Sequence, residues 1–135
     1  MRMTTILERR RRVISCVAAS LLFAVLTGCA ARSTVDVGDL MRSLDFVLTS
    51  GSVRDRTGEW CDEAHPCVQA FTSDEVTLWK FGSTAQAEAF SFGLERGGEY
   101  AYLSDYVVAQ YASDELSPYD RQMVEETLDG AHNSD

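Results

Sequence analysis

A small α+β domain is what this sequence predicts, and three observations predict it. Two stretches rich in β-forming residues are each split by a short polar turn, so each reads as a hairpin. Apolar residues at helical spacing precede, separate and follow those hairpins. The 107 residues after Gly28, out of 135 in the chain, suit one domain rather than two. The expected order is helix, hairpin, helix, hairpin, helix. It assembles as a two-layer fold, a four-stranded antiparallel sheet with helices mainly on one face.

The first helix is expected from Asp36 to Leu48, because Val37, Leu40, Met41, Leu44, Val47 and Leu48 share one helical face. Asp36 caps its start and Thr49-Ser50-Gly51 marks its stop. The polar stretch from Ser52 to Glu59 reads as a loop leading to Trp60. Cys67 to Thr72 and Val76 to Phe81, separated by Ser73-Asp74-Glu75, form the first hairpin. Ser83 with Gln86 three residues later resembles a capping box and opens a helix through about Arg96, which Gly97-Gly98 ends. Tyr100 to Leu103 and Tyr106 to Tyr111 form the second hairpin, with Ser104-Asp105 at its turn. Ser117-Pro118 starts the last helix, Tyr119, Met123, Val124 and Leu128 supply its apolar side, and Gly130 is its stop. The domain is thus expected over residues 36–130, with 131–135 a frayed tail.

Ahead of this domain lies a segment of another kind. Arg2 and Arg9 to Arg12 precede an apolar run from Val13 to Leu26, and Leu26-Thr27-Gly28-Cys29 follows. A basic start, a short apolar stretch and small residues before a cut describe an export signal. The apolar run is shorter than the roughly 20 residues that a membrane-spanning helix needs. Leu26-Thr27-Gly28-Cys29 resembles the lipobox of bacterial lipoproteins, and the chain resembles the small lipoproteins of high-GC Gram-positive bacteria. That resemblance implies cleavage after Gly28, a diacylglyceryl thioether on Cys29 and a lipidated, palmitate-bearing N-terminus. Residues 1–28 would then be a cleaved signal peptide and 29–35 a lipidated end with a short tether. Fully extended, the six residues from Ala30 to Val35 reach about 20 Å, which keeps the domain close to the membrane.

Charge narrows the partners. The chain carries 12 basic and 21 acidic side chains; residues 1–28 take five arginines and Glu8 with them, leaving 7 against 20, a net −13. Lys80 is the only lysine. Nucleic acid and anionic head groups repel such a surface. Membrane attachment therefore falls to the acyl chains, each buried methylene contributing about 0.8 kcal/mol.

Cys16 leaves with the signal and Cys29 carries lipid, so Cys61 and Cys67 remain for an oxidising exterior. They enclose Asp62-Glu63-Ala64-His65-Pro66 and read as a disulfide. The competing arrangements are two free thiols or a metal site of Cys61, His65 and Cys67 with Asp62 or Glu63, although the usual second ligand pair of a zinc site is missing. No nucleophile elbow, paired-histidine zinc helix, phosphate loop or dinucleotide glycine pattern is present, so no catalytic residue, metal or cofactor is expected. Asp62, Glu63 and His65 are the one cluster suited to acid–base work. The acid pairs Asp114-Glu115 and Glu125-Glu126 lack the spacing of a calcium loop, and the second pair is expected on the wet side of the last helix.

With helices on one face, the alternation of the strands would leave Trp79, Phe81, Tyr100 and Tyr102 lining the open face as an aromatic binding surface. The functional expectation is a non-catalytic binding or accessory module, lipid-anchored at the extracytoplasmic face of the cell membrane, with a membrane-proximal protein partner. An immunity or superinfection-exclusion lipoprotein is the first alternative. A metal-binding protein or enzyme using Asp62, Glu63 and His65 is the second.

Overall fold

The computed structural model describes residues 34–48, 53–112 and 116–132. Gly28, Cys29 and the whole predicted signal lie outside the described residues. The domain is α+β around an antiparallel sheet. Among the described residues nine elements follow one another: α1 (Val37–Ser43), β1 (Arg54–Asp55), α2 (Thr57–Trp60), β2 (Cys67–Thr72), β3 (Val76–Phe81), α3 (Thr84–Arg96), β4 (Tyr100–Ser104), β5 (Val107–Tyr111) and α4 (Pro118–His132). The sheet order is β1-β2-β3-β5-β4, with every neighbouring pair antiparallel.

Among the described residues the sheet has five strands where four were expected. The extra one, β1, lies in the stretch read as a loop. Arg54 pairs with Thr72 and Asp55 with Phe71, and the Arg56 amide continues the ladder to the Ala70 carbonyl at 2.8 Å. Asp55 Oδ1 then accepts the Thr57 amide at 2.8 Å and opens the single helical turn α2. Two residues of strand and four of helix are too short to show a period, so neither was visible in the sequence.

The helices also cover both faces of the sheet, not mainly one. Val76, Leu78, Val107, Ala109 and Tyr111 pack under α1 and α4 together with Leu40, Met41, Leu44, Val124 and Leu128. Ala70, Trp79, Phe81 and Val108 pack on the opposite face under α3, with Trp60 and the two cysteines beside them. The reason lies in β3 and β5, which are apolar at odd and even positions alike. Burying one large apolar side chain is worth roughly 1.5–3 kcal/mol, against a net domain stability of about 5–15 kcal/mol. Leaving Trp79, Phe81 and Val108 open to water would forfeit much of that margin, so the second face requires cover.

Helix α1 is seven residues long and ends earlier than its apolar period suggested. Leu44 closes it, and the Val47 and Leu48 amides fold back onto the Leu44 carbonyl at 2.8 and 2.9 Å. This tight turn still buries Leu44, Val47 and Leu48, so the apolar pattern is satisfied without a continuous helix. At its start, Asp36 caps the Asp39 amide at 3.0 Å. Gln69 on β2 ties that cap to the sheet, donating to Asp36 Oδ2 at 3.0 Å and accepting the Val37 amide at 3.2 Å. The Lys80 ammonium donates to the Val35 carbonyl at 2.6 Å, and Val35 packs against the core. The folded unit therefore begins by residue 35.

Helix α3 opens at Ser83, whose side chain accepts the Gln86 amide, as the capping box predicts. Helix α4 runs through Gly130 to His132, beyond the predicted stop. Ala131 packs on the core, which holds this last turn in place, and His132 Nδ1 lies 3.8 Å from an Asp105 carboxylate oxygen.

Candidate functional site

The cysteine loop is stapled: Cys61 and Cys67 form a disulfide with Cα atoms 4.9 Å apart. Their sulfurs are consumed by that bond and are not metal-ligand thiolates. Asp62 Oδ1 accepts the amides of His65 at 2.8 Å and Ala64 at 2.9 Å. Those two bonds, the His65 amide foremost, hold the Asp62 carboxyl below the usual carboxylate range. His65 leans over the second face, its ring centroid 6.3 Å from those of both Trp79 and Phe90. Among the described residues, no group of three or more His, Cys, Asp and Glu side chains is placed to hold a metal ion. Asp62 and His65 thus shape a turn that closes one end of an apolar groove of about 390 Å³, bounded by Phe81, Phe90 and Leu94.

The four predicted aromatics do not share a surface. Trp79 and Phe81 are buried under α3, where Trp79 stacks on Trp60 at 5.4 Å and meets Phe90 at 5.0 Å. Tyr100 and Tyr102 belong to the other face, because Tyr102 stands in register with Ala109 and Leu78, and Tyr100 with Tyr111 and Val76. The expected platform is therefore corrected: two of its rings are core, and the other two look the opposite way. Strand order and register set which positions fall in line across the sheet, and here they align Tyr100 and Tyr102 with Val76 and Leu78 rather than with Trp79 and Phe81.

Tyr100 instead belongs to a concave surface at the outer edge of the sheet. The turn after α3 builds it. Gly98 adopts φ +83°, its amide bonds to the Glu95 carbonyl at 3.0 Å, and the Glu99 amide bonds to the Leu94 carbonyl at 3.0 Å. That pair of bonds is a Schellman closure, which needs a left-handed residue that glycine supplies without strain. It delivers Glu99 and Tyr100 to the rim of two adjoining cavities. One, of about 570 Å³, is bounded by Thr77, Gln110, Tyr111 and Arg121 as well. The other, of about 540 Å³, runs along β4 between Glu95 of α3 and Glu125 of α4.

Each wall is held from behind. The Trp79 indole donates to Gln110 Oε1 at 2.9 Å, which turns the Gln110 amide nitrogen toward the Glu99 carboxylate, to which it donates. Arg121 lies over the ring of Tyr100 at 4.5 Å and near that of Tyr111 at 5.6 Å. Asp129 accepts the Tyr102 hydroxyl at 2.8 Å and the Ser104 hydroxyl at 2.7 Å, pinning α4 to β4. The Asp129 bond raises the Tyr102 phenol to about 12. Burial, followed by the charge of Glu125, also pushes the Tyr111 phenol up. Glu125 is itself raised above the usual carboxylate range by burial; Arg121 opposes that shift and Asp129 adds to it. Glu95, Glu99, Glu125 and Asp129 thus stand around these cavities with Arg121 at one end.

Sequence reasoning found Tyr100 and Tyr102 but missed Glu95, Glu99, Gln110, Arg121, Glu125 and Asp129. A signal was present: Arg121, Glu125 and Asp129 recur every four residues, which places them on one stripe of α4. Glu125 was assigned to solvent, whereas it is half-buried beside β4. Comparison with protein-family models, with curated proteins and with solved structures finds no match to this chain.

Proposed function

We propose that this protein is a lipid-anchored, extracytoplasmic binding module that does no chemistry of its own and engages a membrane-proximal partner. One observation carries the reading. An arginine-headed apolar run ending in Leu26-Thr27-Gly28-Cys29 stands six residues ahead of the point where the domain begins. The disulfide supports it, since such bonds persist in oxidising compartments and stabilise small exported domains. No helix among the described residues is long and apolar enough to cross a membrane. Attachment in this reading rests on the acyl chains at Cys29.

Binding is favoured over catalysis by what the site side chains already do. Asp62 is spent on its own turn, and Glu99 and Asp129 hold the walls of the edge cavities. These are groups that fix a shape. Crosslinking of the tagged protein on living cells, beside a Cys29→Ser control, tests the proposal. A dominant partner that is captured by the lipidated chain and lost in the control is the expected result. Equal capture by both forms would remove the anchor from the function, and capture of a toxin or phage component would favour the immunity reading.

A further inference from the structure

We propose that the outer edge of β4 takes an extended, lysine- or arginine-bearing segment of a partner protein as an added antiparallel or parallel strand. The inference deepens the proposed binding role and rests on it. Strand β4 ends the sheet, and among the described residues nothing pairs with its outer side. In an antiparallel ladder alternate residues turn their N–H and C=O groups away from the neighbouring strand, so the outer edge of β4 presents a row of donors and acceptors. Native sheets commonly close such an edge with a bulge, a proline or a covering loop. Here the edge opens into the 540 Å³ groove.

Charge selects the occupant. Glu95 and Glu99 flank the edge on the α3 side, while Glu125 and Asp129 flank it on the α4 side. Side chains of an added strand alternate between the two faces, so basic residues in it reach one pair of carboxylates or the other. A second copy of this chain is a poor occupant, because edge-to-edge pairing would bring the same acids together. Tyr100, 59% exposed and backed by Arg121, stands at one end of the groove as a wall against which the segment packs.

The test uses the purified full chain and a fluorescent octapeptide of alternating lysine and valine. Two controls accompany it: an octapeptide of alternating lysine and proline, equally charged but unable to pair as a strand, and one of alternating glutamate and valine. The lysine–valine peptide is expected to bind and to slow amide exchange within Tyr100–Ser104. The lysine–proline peptide should bind roughly tenfold more weakly, as should the lysine–valine peptide to the Glu95→Gln/Glu125→Gln double variant. Equal binding of the two basic peptides, binding that spares β4 from protection, or no binding at all would overturn the proposal. So would concentration-dependent dimerisation that protects the same amides. The mass of the N-terminus, read on the same preparation, keeps the two readings apart. A lipidated chain that ignores the peptide defeats only the edge proposal, and a peptide-binding chain without lipid defeats only the anchor.

Discussion

Single side chains at the sheet edge and at the first helix cap each do one job that a substitution can isolate. The Tyr102 hydroxyl is tied to Asp129 across β4 and α4. Tyr102→Phe should lower stability by about 1 kcal/mol, the usual net worth of a hydrogen bond, measured by urea unfolding. In a phenolate absorbance titration, the same variant should lose a tyrosine that ionises only near 12 in the parent. Asp36 makes a different claim. The Gln69 side chain and the Asp39 amide hold its carboxyl below the ordinary 3.8. A depressed folded-state value means a contribution present above that ordinary value and lost as pH falls through the folded one. Melting temperature should therefore drop on acidification below about pH 4, and Asp36→Asn should flatten part of that fall.

At the level of elements, the turn at Gly98 links local backbone chemistry to the candidate site. Alanine at φ +83° is strained, so Gly98→Ala should cost roughly 1–2 kcal/mol in urea unfolding and loosen the Glu99–Tyr100 rim. The same turn was readable in the sequence, as were α3 with its Ser83 cap, both hairpins and the Pro118 start of α4. All of these carry signals within a few residues of themselves. Strand order, the second covered face and the pairing of β1 depend on contacts between distant residues, which no local period encodes. The aromatic platform failed for that reason: the alternation along each strand was right, but the alignment between strands was not. The edge groove went unread because it needs α3, β4 and α4 together, although the four-residue stripe of Arg121, Glu125 and Asp129 supplied one wall.

For the whole molecule, a domain this small draws on its staple. Closing the loop from Cys61 to Cys67 is worth about 2 kcal/mol in the chain-entropy model. Reduction should then lower the melting temperature by roughly 10 °C, followed by calorimetry with and without reductant. The loss should be felt first on the face of Trp60, Trp79 and Phe90, where the cysteines pack. Near-ultraviolet circular dichroism reports that tryptophan pair directly. The two proposals fit together: the proposed acyl chains would fix where the domain works, and the acidic sheet edge would give it a partner strand to hold there. The anchor is the premise on which the extracytoplasmic, membrane-proximal role depends. Mass spectrometry of the N-terminal peptide, from protein purified out of its native membrane, tests it most directly. The account predicts a chain that begins at Cys29 and carries a diacylglyceryl group on that sulfur, with residues 1–28 gone. An unmodified Cys29 within a chain that still retains those residues would contradict it.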